Sequence, residues 1–105
     1  MQQFESVGDL TQVAAQLGNM GSVCRDSEDY DRSFDYYRQA LVRFEGLDQS
    51  VRIADQHANI GYLYVLQENK VAALEHFTQA AEIYRRSGEE RKACQTSQNI
   101  EALGG

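Results

Sequence analysis

The fold is indicated by residues 14–21, which read AAQLGNMG, and by residues 54–61, which read ADQHANIG. A shift of forty residues superimposes the two stretches, and the match extends on both sides of them. Identical residues recur at this shift as the pairs Ala14 and Ala54, Gln16 and Gln56, Asn19 and Asn59, Gly21 and Gly61, Glu28 and Glu68, Gln39 and Gln79, and Ala40 and Ala80. Phe4-Glu5 precedes Phe44-Glu45, and Asn99-Ile100 follows Asn59-Ile60, in the same register. Because a fixed period of about 20 to 50 residues is typical of repeat architectures, the chain is predicted to hold two complete units with a partial unit at each end.

Each unit is predicted to consist of two helices. Its apolar residues recur at intervals of three and four, as on one face of a helix, and do not alternate as in a strand. In the first unit the two stripes are Val13, Leu17, Met20, Gly21 and Cys24, then Tyr30, Phe34, Tyr37, Leu41 and Phe44. Helices are therefore expected at about 9–25, 30–46, 49–67, 70–87 and 89–102. The short links between them require antiparallel neighbours, so an all-α chain of helical hairpins is expected.

Polar residues and glycines mark the ends of these helices. Residues 26–29 and Glu68-Asn69 supply short polar side chains that accept the unpaired amides at the start of a helix. Gly46, Gly88 and Gly104 fall where a helix is expected to end in a residue of left-handed conformation.

Composition excludes several classes of protein and of partner. The chain has 105 residues, 42% of them apolar, and a net charge of −6. That charge disfavours nucleic acid and anionic membranes as partners. No apolar run approaches the length of a membrane-spanning helix, and no signal peptide is visible at residues 1–5, so a cytoplasmic location is expected. Cys24 and Cys94 stand too far apart to suggest a zinc motif, and both are expected to be free thiols.

The spacing of small and aromatic residues resembles that of the tetratricopeptide repeat family. The first unit offers Leu17, Met20, Gly21, Cys24, Ser33, Tyr37 and Ala40, and the second offers His57, Ile60, Gly61, Tyr64, Ala73, Phe77 and Ala80. A small residue in each helix lets the two helices approach closely, Gly21 against Ser33 and Gly61 against Ala73. The period of forty exceeds the usual 34, and the terminal proline is missing, which resembles the longer variant found in cell-polarity adaptors and kinesin light chains. The resemblance implies a right-handed α-solenoid whose first helices line a concave groove.

The repeat register also predicts how the chain is divided. Residues 1–8 are assigned to the tail of a preceding repeat, 9–48 and 49–88 to two repeats, and 89–103 to the first helix of a partial or capping repeat. Because about three repeats are usually needed for stability, we expect the chain to belong to a longer array. Alternatively, the uncapped ends pair between two molecules and form a homodimer.

No constellation of residues predicts chemistry. The acidic stretch 26–31 lacks the glycine and the final bidentate glutamate of a calcium loop. His57 and His76 lack the close spacing of a metal motif, with His57 expected in the core or at a half-exposed hydrogen bond and His76 on the outer face. Neither cysteine has a histidine partner in a recognisable motif. The chain is therefore predicted to bind no metal or cofactor and not to be an enzyme.

What remains is the groove that the family resemblance implies. Projection of the first helices places eight candidate peptide-binding residues there: Asn19, Ser22, Arg25, Asp55, Asn59, Tyr62, Leu66 and Asn99. An asparagine amide both donates and accepts hydrogen bonds and therefore matches a peptide backbone, although the three asparagines could equally bond helix to helix. The lysines and arginines that hold an acidic carboxyl terminus in chaperone adaptors are missing at the matching positions. A neutral extended segment or an amphipathic helix therefore suits the groove better than an acidic tail.

Two functions follow from this sequence. The first is a protein-interaction scaffold that binds a peptide or helix of a partner protein in the groove. The second is a structural spacer or self-association segment of a larger regulatory protein, with no ligand in the groove.

Overall fold

The computed structural model describes residues 6–104, and within that range the chain forms five α-helices and no strand. The helices are α1 (Val7–Asp26), α2 (Tyr30–Gly46), α3 (Ser50–Leu66), α4 (Lys70–Arg86) and α5 (Glu90–Ala102). The predicted all-α fold of helical hairpins is confirmed, and the predicted helix ends differ from the observed ones by at most two residues. Helix α1 begins two residues before the predicted start because the Ser6 side chain accepts the Asp9 backbone N–H at 3.2 Å. Val7 and Gly8 therefore lie in α1, and the rest of the predicted tail, residues 1–5, lies outside the described residues.

Every link between successive helices is three residues long, and its middle residue has a positive φ. These middle residues are Glu28, Asp48, Glu68 and Gly88, twenty residues apart, with φ of 63°, 56°, 59° and 77°. The prediction for Gly88 is therefore met, and Gly104 at the end of α5 also has a positive φ. Helix α2 ends at Gly46 as predicted, but Gly46 is not the left-handed residue. Asp48 adopts the left-handed conformation in its place.

Backbone hydrogen bonds explain why the links are so uniform. The residue after the left-handed one donates its N–H to a carbonyl five residues back, from Asp29 to Cys24 at 2.8 Å and from Asn69 to Tyr64 at 2.9 Å. This bond closes the preceding helix. The same residue then caps the next helix, because Asp29 Oδ1 accepts the Arg32 N–H and Asn69 Oδ1 accepts the Ala72 N–H. One residue thus ends one helix and starts the next.

The chain divides into two compact units, Met1–Asp48 and Gln49–Gly105. Among the described residues, unit 1 is the α1–α2 hairpin, and unit 2 is the α3–α4 hairpin with α5 packed on α4. In unit 2, a core cluster of Ala54, Ala80, Tyr84 and Ala93 joins its three helices.

A glycine of the first helix receives an aromatic ring of the second helix in each hairpin. A Cβ added to Gly21 would lie 2.7 Å from Tyr37 Cδ1, and one added to Gly61 would lie 3.0 Å from Phe77 Cδ1. In unit 1 the buried Ser33 Oγ also donates a hydrogen bond to the Gly21 carbonyl at 2.7 Å. The predicted close approach of Gly21 and Ser33 is therefore observed, and the ring contact explains why both positions require glycine.

One predicted core stripe is more exposed than expected. Met20 on α1 is 44% exposed, whereas Ile60 at the matching position of α3 is 3% exposed. Val13 on α1 is likewise exposed. Unit 1 contains one other helix, α2, which packs against the Gly21 face of α1. The apolar face of α1 that includes Val13 and Met20 therefore has no covering helix within that unit.

Candidate groove site of the second unit

A cavity of about 270 Å³ in unit 2 contains several of the predicted groove residues. It lies between α3 and α5, with one residue of α4 contributing. Its lining consists of Ala58, Asn59, Tyr62, Val65, Phe77, Asn99, Ala102 and Leu103. The structure thus brings Asn59, Tyr62 and Asn99 together, as the projection of the first helices predicted.

Helical periodicity places these side chains on one surface. Ala58, Tyr62 and Val65 recur at intervals of four and three along α3 and therefore share a face. Tyr62 is 46% exposed, so its ring is open to a partner. Leu66, one turn beyond Tyr62, is also exposed but does not line the cavity.

Asparagine amides on two helices supply the polar part of the lining. Asn59 Nδ2 donates a long 3.4 Å hydrogen bond to Oε1 of the buried Gln56 on the same helix. Asn99 on α5 is exposed, and its side chain has no hydrogen bond within residues 6–104. Both amides therefore keep donor or acceptor capacity at the cavity.

Asp55, predicted to be a specificity residue of the groove, is engaged inside unit 2. Its Oδ1 accepts a hydrogen bond from the Tyr84 hydroxyl of α4 and lies 3.3 Å from Lys92 Nζ of α5. The ammonium of Lys92 also lies 5.7 Å from the centre of the Tyr84 ring. Burial raises the pKa of Tyr84, and its hydrogen bond to the Asp55 carboxylate raises it further. Asp55 therefore ties three helices together, with its charge largely balanced by Lys92.

Two of the predicted groove residues of unit 1 also make internal bonds. Ser22 Oγ and Tyr37 Oη are 2.8 Å apart, and Arg25 donates to the same Tyr37 oxygen at 3.4 Å. Arg25 also forms two hydrogen bonds to Asp26 Oδ1, at 3.1 and 3.3 Å. Asn19 is exposed, with no side-chain hydrogen bond within the described residues.

A contact between His57 and His76 is a feature that the sequence reasoning missed. His57 is 8% exposed, its Nδ1 lies 3.0 Å from His76 Nδ1, and the two rings stack at 5.3 Å between centroids. The Tyr64 ring stacks on the His76 ring, with 5.7 Å between the ring centroids. Burial lowers the pKa of His57, and repulsion from a charged His76 lowers it further. The register of the hairpin could have predicted this contact. In an antiparallel pair, Gly61 opposite residue 73 puts His57, one turn earlier, opposite residues 76 and 77.

Two hairpins in one register, each with a glycine against an aromatic ring, are the features of a known repeat. The sequence model of the family described as tetratricopeptide repeat matches residues 12–86. The chain belongs to the tetratricopeptide repeat family. This confirms the resemblance found in the sequence, and tetratricopeptide repeats are in general non-catalytic modules of protein–protein interaction. Searches of curated proteins and of solved structures gave no match. Within residues 6–104, none of the helices combines the length and apolar character needed to cross a lipid bilayer.

Proposed function

We propose that the chain is a protein-interaction scaffold whose binding surface for a peptide or helix of a partner is centred on Asn59, Tyr62 and Asn99. The observation that carries this proposal is the cavity between α3 and α5, where two amides from different helices border an apolar depression. A peptide places both backbone amides and apolar side chains on such a surface, and an asparagine both donates to and accepts from a backbone. The lack of a side-chain hydrogen bond at Asn99 favours contact with a partner over helix-to-helix bonding.

The other predicted groove residues fall into two groups under this proposal. Leu66 is exposed and extends this surface within unit 2, and Asn19 is exposed on α1 of unit 1. Ser22 and Arg25 are engaged by Tyr37 and Asp26 and act within the α1–α2 hairpin. Asp55 is engaged by Tyr84 and Lys92 and helps to fix the helices that carry the surface. The free thiols at Cys24 and Cys94 suit a reducing compartment, and we keep the cytoplasm as the proposed location.

The experiment is a selection of peptides from a random display library on the immobilised chain, followed by affinity measurements. The double variant Asn59→Ala, Tyr62→Ala is expected to bind the selected peptides at least tenfold more weakly, with its helix content by circular dichroism unchanged. The matched control is Gln79→Ala with Val71→Ala, two exposed positions on α4 outside the cavity, and it is expected to bind as the parent does. Failure to select any peptide, or equal binding by both double variants, would overturn the proposal.

A second candidate is a self-association segment with no ligand in the groove. The observation in its favour is the exposed apolar face of α1, which includes Val13 and Met20. Sedimentation over a hundredfold range of concentration separates the two functions. Self-association through this face predicts a dimer that Met20→Glu returns to a monomer, whereas the scaffold function predicts a monomer that binds the selected peptides.

A further inference from the structure

We infer that the cavity between α3 and α5 accepts one bulky uncharged side chain of the partner, which anchors the peptide on this surface. This inference rests on the proposed function and specifies its ligand. The candidate anchors are leucine, isoleucine, methionine and phenylalanine side chains, and charged side chains are excluded.

The charge of the lining is the first argument. None of the eight lining residues carries a charge at neutral pH, and the two amides are its most polar groups. The nearby carboxylate of Asp55 is already held by the Tyr84 hydroxyl and by Lys92 Nζ at 3.3 Å. A charged side chain entering the cavity would lose water and meet no opposite charge, which is unfavourable. An uncharged side chain would bury apolar area against Val65, Phe77 and Leu103, which is favourable at roughly 25 cal/mol per Å².

The size of the cavity is the second argument. At about 270 Å³ it lies just below the range of about 300 to 1,000 Å³ that is typical of sites for whole small molecules. It is large enough for one side chain. Its Phe77 wall is held in place because the ring packs against Gly61, where a Cβ would lie 3.0 Å from the ring.

The arrangement of polar and exposed groups is the third argument. Asn99, Ala102 and Tyr62 are exposed, so the cavity opens to solvent on the side where a partner would arrive. A side chain inserted there would bring its own backbone close to the Asn59 and Asn99 amides. The apolar anchor and the backbone contacts would then act together.

The first test uses single capped amino acids as probes of the cavity in the intact chain. N-acetyl-L-leucinamide is added during a nuclear magnetic resonance titration that follows the side-chain amides of Asn59 and Asn99. Saturable shifts of both amides are expected, with shifts at least fivefold smaller at the same concentration of N-acetyl-L-lysinamide or of the glutamate analogue. Equal responses to the three probes, or no response to the leucine probe, would overturn the inference.

The second test fills the cavity without removing a polar group. Ala102→Phe adds a ring to the lining. It is expected to abolish the shifts caused by the leucine probe and to lower the affinity for the selected peptides at least tenfold. Glu101→Phe adds the same ring at the neighbouring exposed position, which does not line the cavity, and is the matched control. Helix content by circular dichroism verifies that both variants fold.

These results separate the anchor from the proposed function. Selected peptides could lose affinity for the Asn59→Ala, Tyr62→Ala double variant and still bind the Ala102→Phe variant. That result would overturn the anchor and support the proposed binding surface. Leucinamide shifts without any selected peptide would support the preference of the cavity and overturn the peptide-binding function.

Discussion

The two hairpins have the same frame but place their polar groups differently. Both pack an aromatic ring on a glycine of the first helix, Tyr37 on Gly21 and Phe77 on Gly61. In unit 1 the Tyr37 hydroxyl bonds to Ser22 and Arg25, which keeps those groove side chains occupied. In unit 2 Phe77 has no hydroxyl.

The position that matches Ser22 in unit 2 is Tyr62, which is 46% exposed and lines the cavity. The repeat thus fixes the backbone frame. Single exchanges, such as Ser22 for Tyr62 and Tyr37 for Phe77, change the polar groups on that frame.

The largest expected effect breaks the frame that the hairpins share. Gly21→Ala puts a Cβ at 2.7 Å from the Tyr37 ring, and Gly61→Ala puts one at 3.0 Å from Phe77. Such overpacking costs about 1 to 3 kcal/mol, offset in part by the higher helix propensity of alanine, up to about 1 kcal/mol. Urea unfolding should show a lower midpoint for both variants and the larger loss for Gly21→Ala.

The matched control for these variants is Gly46→Ala. Nothing lies within 4 Å of a Cβ at this position, so alanine should leave stability unchanged or raise it slightly. A Gly21→Ala variant as stable as Gly46→Ala would contradict the ring-on-glycine frame.

The next effect tests the polar network that unit 2 has and unit 1 lacks. The residues of unit 1 that match Asp55 and Tyr84 are Ala15 and Phe44, which cannot form this bond. Asp55→Ala leaves the buried Tyr84 hydroxyl without its acceptor and should cost about 1 to 3 kcal/mol. Tyr84→Phe introduces the phenylalanine of unit 1. It removes the buried hydroxyl and leaves Asp55 its contact with Lys92 Nζ, so it should cost less. Urea midpoints check the order, and an equal or larger loss in Tyr84→Phe would contradict the role of Asp55 as an acceptor.

A third prediction concerns the histidine pair, which matches Leu17 and Tyr36 in unit 1. The folded state lowers the pKa of His57 below its ordinary 6.5, so the unfolded chain takes up a proton more readily. Stability from this group is therefore complete above pH 6.5 and is lost as the pH falls through the folded pKa. When both imidazoles are charged, each Nδ1 carries a proton. Neither Nδ1 then has a lone pair to accept the hydrogen bond between the two rings.

Urea unfolding between pH 7.5 and 5 measures this loss. In the His57→Leu variant, which copies unit 1, the decrease in stability below pH 6.5 should be smaller than in the parent chain. The difference between the two profiles removes the contribution of the carboxylates that both share. Parallel profiles would contradict the assignment.

The sequence predicted the fold well because the fold depends on spacing. Gly21 and Gly61 lie forty residues apart in matching stripes, and that pattern was enough to predict hairpins and the tetratricopeptide repeat family. A helical projection gives the face on which a residue lies, and the three residues Asn59, Tyr62 and Asn99 that it placed on the first-helix face line one cavity.

The misses concern contacts whose partners a helical projection does not give. Asp55 was projected toward the groove, yet the Tyr84 hydroxyl on α4 and the Lys92 ammonium on α5 engage its carboxylate. The His57 and His76 contact depends on the register between two helices. Gly46 ends α2 as predicted, but the left-handed residue is Asp48, because glycine tolerates that conformation and does not require it.

The smallest predicted effect compares the links between the helices. Glu68 in the α3–α4 link and Gly88 in the α4–α5 link hold the same left-handed conformation, with φ of 59° and 77°. A residue with a Cβ is strained there by roughly 1 kcal/mol, whereas glycine is not. Glu68→Gly should therefore raise the free energy of unfolding by up to about 1 kcal/mol, less the greater entropy of glycine in the unfolded chain.

Gly88→Ala is the reverse experiment, and it should lower the free energy of unfolding by a similar amount, since no neighbour lies within 4 Å of the added Cβ to alter the balance. Opposite signs for the two variants in thermal and urea unfolding would establish backbone strain as the difference between the links. A loss in both would mean that side-chain contacts of Glu68 outweigh the backbone strain, and a gain in both would contradict strain for alanine at position 88.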